Sequence, residues 1–249
     1  MSSEGNERLY KDLAWLWPTM SPPEDYVEEA ETFARVIRER TRVTPRTLLH
    51  LMSGGGHLDH RMKRDFAITG VDVSPEMVGL ARRLNPDVEY ILDDVRSVRL
   101  GRTFDAVFID DGVLYMLTED DLKAAFETAF EHLVPGGVML VYAESTPESF
   151  EQNRTDVARR ASGDVELVYV ENQYDPDTSD TTYETTFVYL IRQDGRLTVE
   201  TDHHTCGIFT LDTWRRLLRD AGFDALEMRF EHSEFPEGSA EPMFACLRP

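Results

Sequence analysis

The segment from Thr47 to Asp72 constrains this chain more than any other. An apolar run, Thr47-Leu48-Leu49-His50-Leu51, enters Met52-Ser53-Gly54-Gly55-Gly56, a helix-like segment follows, and a second run, Ile68-Thr69-Gly70-Val71, ends on Asp72. Near-continuous apolar runs are how strands buried on both faces of a parallel sheet read. Glycines at a strand-to-helix turn let the backbone approach a ligand closely. An acid at the distance of Asp72 from Gly54 suits a hydrogen bond to a ribose hydroxyl.

The rest of the chain repeats this rhythm. The spacing predicts a short helix around 7–16, then a helix from Pro23 or Glu24 to Arg40, whose apolar positions Val27, Ala30, Phe33, Ala34 and Ile37 recur at helical period. Strands are expected at 47–52, 67–72, 88–92, 105–109 and 138–142. Helices are expected at 57–64, at 75–84 behind a Ser74 cap with Pro75 in the first position, and after Thr118. Pro135-Gly136-Gly137 reads as a turn. This order argues for a parallel sheet with helices on both faces.

The pattern then changes. Residues 164–173, 181–193 and 196–208 are long, alternating and rich in Val, Tyr and Thr, with an Asp194-Gly195 hairpin signal between the last two. They read as antiparallel strands of an insertion spanning 145–208. A helix at 211–221 and strands at 224–231 and 242–248 return to the core, with a polar loop at 233–241. The main domain is therefore 1–144 plus 209–249, with an N-terminal helical lid. The insertion is expected to cover the cleft or to build a dimer contact.

Composition narrows the partners. The 249 residues carry a formal net charge of −21, a poor surface for nucleic acid. No run approaches the ~20 apolar residues of a membrane span, and the polar N-terminus has no secretory apolar region. Only Cys206 and Cys246 occur, which makes the cytosol the default compartment. The ligand follows from the glycine loop. A dinucleotide fingerprint wants glycine or alanine where Asp59 stands, and an aspartate beside a pyrophosphate would repel it. A phosphate-free ligand joining an amino acid to a nucleoside fits better, which is S-adenosylmethionine.

With the elements placed, five segments resemble class I methyltransferases that use S-adenosylmethionine: Leu51 to Gly56, Gly70 to Met77, Leu92-Asp93-Asp94-Val95, Phe104-Asp105-Ala106-Val107 and His132 to Gly137. Their fold is a Rossmann-like sheet, mostly parallel, with an antiparallel C-terminal strand. A longer resemblance, from Tyr10 onward, is to the N,N-dimethyltransferases of deoxyamino-sugar biosynthesis. It includes Pro147-Glu148-Ser149-Phe150 and Asp202-His203-His204 before Ile208-Phe209-Thr210. That group usually has an acid where His50 stands and a Cys or Gly where Ser53 stands.

The resemblance implies roles. Gly54 and Gly56 let the backbone pass the methionine part, with Ser53 beside them. Asp72 takes the ribose hydroxyls, Val73 lies against adenine, Asp94 accepts from the adenine amine and the Val95 amide faces the ring. Met77, also suited to core packing, Ile109, Tyr10 and Tyr26 complete the cofactor set. The expected catalytic groups are Tyr115, His204 and Asp110, and the acceptor contacts are Asp111, Glu144 and Trp17. His203 and His204 alternate on a strand, so at most one faces the cleft. The expected acceptor is a small polar metabolite, an amino sugar being one candidate, methylated on nitrogen or oxygen. Two other readings stand beside it. One is a Mg²⁺-assisted O-methyltransferase using Asp110-Asp111; the other is an S-adenosylmethionine-binding protein without catalysis.

Overall fold

In the computed structural model, which describes residues 7–233, 235 and 238–249, a seven-stranded sheet forms the centre of the chain. Five strands supply its parallel part: β1 (Thr47–Leu51), β2 (Ala67–Asp72), β3 (Glu89–Leu92), β4 (Phe104–Ile109) and β5 (Leu133–Tyr142). The sheet also contains β10 (Asp224–Phe230) and β11 (Glu241–Leu247), in the order β10-β11-β5-β4-β1-β2-β3. Only β11 runs antiparallel, between β5 and β10.

Alternation along the strands builds two apolar layers. Leu49, Leu51, Val107, Ile109, Met139 and Val141 face one side, where α5 (Glu119–His132) and α6 (Leu211–Asp220) cover them with Phe126, Trp214 and Leu218. Leu48, Ala106, Phe108, Val138 and Leu140 face the other, against Phe33 and Ile37 of α2 (Val27–Arg40) and Leu58 and Met62 of α3 (His57–Met62). The helix α4 (Pro75–Leu84) starts as expected, with the Ser74 hydroxyl accepting from the Met77 amide. Among the described residues no helix is long and apolar enough to cross a membrane.

A separate antiparallel sheet holds β6 (Arg154–Ser162), β7 (Val165–Tyr174), β8 (Thr182–Gln193) and β9 (Arg196–Gly207), in that order. The β8–β9 turn has positive φ at both Asp194 (51°) and Gly195 (74°), the left-handed pair a tight hairpin requires. The apolar end of the inner face, Val165, Leu167, Tyr189 and Ile191, packs on Leu9, Leu13, Leu16 and Met20 of the N-terminal segment. Valines 157 and 199 lie on the outer face, 67% and 55% exposed.

Four expectations about elements need correction. The strand β6 has no counterpart in the sequence reading, because its run RTDVARRAS holds one branched apolar residue and is almost wholly solvent-facing. The 7–16 helix is two 3₁₀ turns, Arg8–Tyr10 and Ala14–Leu16, followed by a short α1 (Trp17–Met20). Pro135-Gly136-Gly137 does not end an element. It is looped out inside β5, where the register jumps from Phe104↔Leu133 to Ala106↔Val138, with Gly136 at φ 82°. In the 233–241 loop, residues 234, 236 and 237 lie outside the described residues, and β11 begins at Glu241.

Candidate active site

Two cavities open at the carboxyl ends of the parallel strands. The first, about 410 Å³, lies over β1, β2 and β4 and is lined by Met52, Ser53, Gly54, Asp72, Val73 and Val95 among others. The second, about 340 Å³, lies between that edge and the inner face of the antiparallel sheet. They share Tyr10, Trp17, Tyr26, Asp110, Asp111 and Tyr115.

The first cavity is built from the loop after β1. Met52 (φ 61°), Gly54 (φ 52°) and Gly56 (φ 71°) are all left-handed, which folds the loop back over the strand end. A side chain at Gly54 would project into open space, so the glycine leaves the cavity free at that point. The Asp72 carboxylate ties the two loops together: one oxygen accepts from the Gly54 amide and the other from the Ser74 amide, both at 2.8 Å. Burial raises its pKa above the ordinary value, against these bonds.

Several features fit a nucleoside joined to an amino acid. Val73 is 66% exposed at the cavity wall, an apolar surface awaiting a flat partner. The Ser53 hydroxyl is buried at the same wall and has no protein partner, and a buried polar group wants one. Asp94 lines the cavity as well, but its carboxylate already holds Arg96 at 2.6 Å, and Arg96 reaches on to Asp121 at 2.8 Å. The arginine lowers the Asp94 pKa. A carboxylate has lone pairs to spare for an additional donor.

Three expected cofactor contacts are absent from the cavity wall. Gly56 sits beneath the loop, where an added carbon would lie 2.5 Å from the Tyr90 hydroxyl; it serves helix–sheet packing, and Gly55 lines the cavity instead. Met77 is fully buried on the inner face of α4, and Ile109 is fully buried in the layer under α5. His57 was missed, although it directly follows the glycines. It accepts a 2.8 Å bond from the Trp17 indole and stacks on Tyr26. Burial, with help from His60, pulls its pKa down to about 4, so it is neutral in this role.

His50 lies fully buried on β1. Its Nδ1 is 2.7 Å from Asp59, and its Nε2 faces Asp110 at 3.7 Å, an ion-pair rather than a hydrogen-bond distance. Burial opposes its charge, but the two carboxylates outweigh burial and push its pKa up to about 10. The two carboxylates thus favour its protonated form. Asp59 also accepts from the Tyr90 hydroxyl (2.8 Å), and Asn85 joins Tyr90 to the Gly56 carbonyl.

Asp110 is held by the Asp111 amide and the Tyr142 hydroxyl, both at 2.9 Å. Asp111 faces both cavities; loss of water around it, then Asp110, push its pKa up to about 7. Glu144 lines the second cavity, and burial, then Asp111, drive it well above the carboxylate range. Of the two histidines on β9, His204 is buried at the cavity and His203 is exposed. The His204 Nδ1 lies 2.6 Å from the Tyr115 hydroxyl and its Nε2 lies 2.8 Å from Asp202. The Tyr115 and Tyr10 hydroxyls are 3.1 Å apart. Asp202 also accepts from the Arg8 and Leu9 amides, which docks the N-terminal segment on β9. Among the described residues, no three acidic, histidine or cysteine side chains are grouped so as to hold a metal ion.

Residues 48–137 match a family model described as a methyltransferase domain. A dTDP-3-amino-3,4,6-trideoxy-alpha-D-glucopyranose N,N-dimethyltransferase of Streptomyces venezuelae is 37% identical over 139 residues, 55% of this chain and 59% of that protein, so the chain spans under two thirds of that relative. A dTDP-3-amino-3,6-dideoxy-alpha-D-glucopyranose N,N-dimethyltransferase of Streptomyces fradiae is 28% identical over 200 residues, 80% of this chain and 77% of that one. The fold is shared with the crystal structure of Streptomyces venezuelae DesVI, at TM-score 0.81 and 24% identity over 99% of this chain and 100% of the other. Residues 48–137 therefore resemble a methyltransferase domain, and the fold of the chain is the one it shares with DesVI. In sequence it is similar to deoxyamino-sugar N,N-dimethyltransferases.

Proposed function

We propose that the chain transfers a methyl group from S-adenosylmethionine to the amine nitrogen of an amino sugar. The observation that carries this reading is the meeting of the two cavities at Tyr10, Asp110, Asp111 and Tyr115. The relatives' names, which specify N,N-dimethylation of amino sugars, support the choice of nitrogen. The first cavity takes the cofactor, with Asp72 on the ribose, Val73 against the adenine and the Gly54–Gly55 backbone beside the methionine part. When bound, the cofactor supplies a methyl group already activated on a sulfonium sulfur.

The protein's task is then position and protons. The residues around the acceptor would have to leave the amine neutral, with its lone pair free, and give the methylated nitrogen a route to lose its proton. Asp110 and Asp111 orient the amine. A carboxylate also holds the ammonium form, which works against the nucleophile, so their role is orientation rather than removal of the proton. Burial, then each other's proximity for Tyr115, keep both tyrosines protonated well past their ordinary pKa. Tyr115 therefore acts as a relay. It can pass a proton to His204, whose tautomer is set by the Asp202 carboxylate. The insertion, residues 145–208, is the cover over the acceptor.

The test is direct: incubate the protein with S-adenosylmethionine and a 3-amino-3-deoxyhexose glycoside, then follow one and then two methyl additions by mass spectrometry. Methyl transfer to a hydroxyl of the same sugar, with the amine untouched, would overturn the nitrogen assignment. Calorimetric binding of the cofactor with no transfer to any amine would favour a binding protein instead.

A further inference from the structure

The register of the parallel sheet brings His50 beside Asp110. On β1, His50 pairs with Phe108 of β4, and the two rings lie 5.1 Å apart. Side chains two residues apart on extended backbone share a face. Asp110 continues the extended course of β4 (φ −79°, ψ −171°), so its carboxylate returns to the side of Phe108 and His50. Its Oδ1 accepts from the Asp111 amide and the Tyr142 hydroxyl, both at 2.9 Å, while its Oδ2 faces His50 Nε2 at 3.7 Å. Asp110 also caps the 3₁₀ turn Asp111–Tyr115. Whatever holds Asp110 therefore also steadies Asp111 and Tyr115, which border both cavities.

Behind His50 the polar atoms are paired. Its Nδ1 lies 2.7 Å from Asp59 Oδ1, and the other oxygen of Asp59 accepts from the Tyr90 hydroxyl at 2.8 Å. A carboxylate only accepts, so the imidazole carries a hydrogen on Nδ1. Asn85 Nδ2 donates to the Tyr90 hydroxyl and to the Gly56 carbonyl. Within the set His50, Asp59, Tyr90 and Asn85, the buried atom without a hydrogen bond is His50 Nε2. A lone pair there would face the Asp110 carboxylate unfavourably, whereas a proton there faces it favourably. Burial, joined for Asp111 by Asp110, raises the pKa of Asp72 and Asp111, and His50 is among the groups that lower both. The influence of His50 thus reaches the walls of both cavities. Its side chain is only 1% exposed, against 17% for Asp110, so the histidine is out of reach of a ligand and the aspartate is not.

We propose that His50 is a positioning residue for the acceptor amine: seated between Asp59 and Asp110, it fixes the Oδ2 edge of Asp110 where the two cavities meet. This rests on the amine methylation proposed above and adds a residue that acts through Asp110 without touching either ligand. The role belongs to Nε2; Nδ1 serves the buried network behind it.

The experiment is a double-mutant cycle on the full chain, with S-adenosylmethionine and the 3-amino-3-deoxyhexose glycoside. His50→Asn keeps an amide near the Nδ1 position for Asp59 and removes the group that faces Asp110. It should raise the acceptor KM about tenfold, the scale of one charge-assisted contact, and change the cofactor Kd, measured calorimetrically, by less. In an Asp110→Asn background the same substitution should leave the acceptor KM unchanged, because the contact is already gone. His50→Gln, whose amide reaches the Nε2 position, should recover part of the loss. Additive effects of the two substitutions, or equal changes in acceptor KM and cofactor Kd, would mean a purely structural histidine and overturn the proposal. Nitrogen NMR of histidine-labelled protein gives a readout independent of turnover. The His50 Nε2 resonance, identified by its absence from the His50→Gln spectrum, should shift in Asp110→Asn, and an unchanged resonance would overturn the contact. No transfer to the glycoside by the wild-type chain, with the cofactor bound, would overturn the amine reading, and the nitrogen spectrum would still decide whether His50 holds Asp110.

Discussion

Replacing His50 by glutamine removes a buried cation from between two carboxylates. The imidazole is fully buried, 2.7 Å from Asp59 and 3.7 Å from Asp110. Breaking one side of a buried charge pair costs about 3–5 kcal/mol, because the remaining charge is left without its counterpart. At ~2–4 °C per kcal/mol for a chain of this size, the variant should melt roughly 6–20 °C lower. The effect has a sign in pH. The folded-state pKa is raised from the ordinary 6.5 to about 10. The stabilisation is therefore complete below the unfolded value and is lost as pH climbs through the folded one. Between these limits the wild-type chain should lose up to ~1.4 kcal/mol per pH unit relative to the glutamine variant. Melting curves of both proteins from about pH 6 to about pH 10 measure this directly. A gap below about 1 kcal/mol at the acidic end, or one that does not narrow as pH rises, would refute a charged His50.

Four further outcomes follow from the site. Asp72→Ala should weaken S-adenosylmethionine binding by about tenfold to a hundredfold in calorimetry, and a folded variant with full affinity would remove the ribose assignment. Asp110→Asn should raise the acceptor KM more than the cofactor Kd; equal changes would mean that Asp110 serves only the donor side. Tyr115→Phe should cut kcat roughly a hundredfold with cofactor affinity intact, since it severs the contact with His204. In the wild-type enzyme the rate on an amine should climb between about pH 6 and about pH 9 as the ammonium loses its proton, and a flat profile would contradict rate control by the amine.

The parallel core was legible because both faces of its strands are buried. Runs such as Leu48–Leu51 and Val138–Tyr142 have no polar face to obscure them, and Asp72 closes β2 at the expected place. The lower legibility of the cavity walls has a physical cause. Gly56, Met77 and Ile109 lie in segments that touch the cofactor cleft, yet each points away from it, and direction within a turn or helix depends on packing. Which face of β7 turns inward is a matter of register, and a slip by one residue exchanges Glu171 for Val170. β6 escaped notice because an exposed edge strand carries little apolar signal. His50 and Asp59 are partners across a strand, a loop and a helix, a relation that spacing alone does not display.

The antiparallel sheet also bears on how acceptor choice can diversify on this fold. Apart from Glu7 and Lys11 of the N-terminal segment, what lines the first cavity alone comes from the strand ends, loops and helix starts of the parallel core, whereas Tyr169, Glu171, Tyr183, Thr185 and Phe187 stand on strands that contribute nothing to it. Inner-face positions of β7 and β8 can therefore drift, or be randomised in a library, while cofactor affinity is held constant by residues elsewhere. The coupling that limits this freedom is small: Asp110, Asp111 and the tyrosines that border both cavities. Selection for a new acceptor should accordingly accumulate in residues 154–207 first and reach the strand ends only when the geometry of attack has to change.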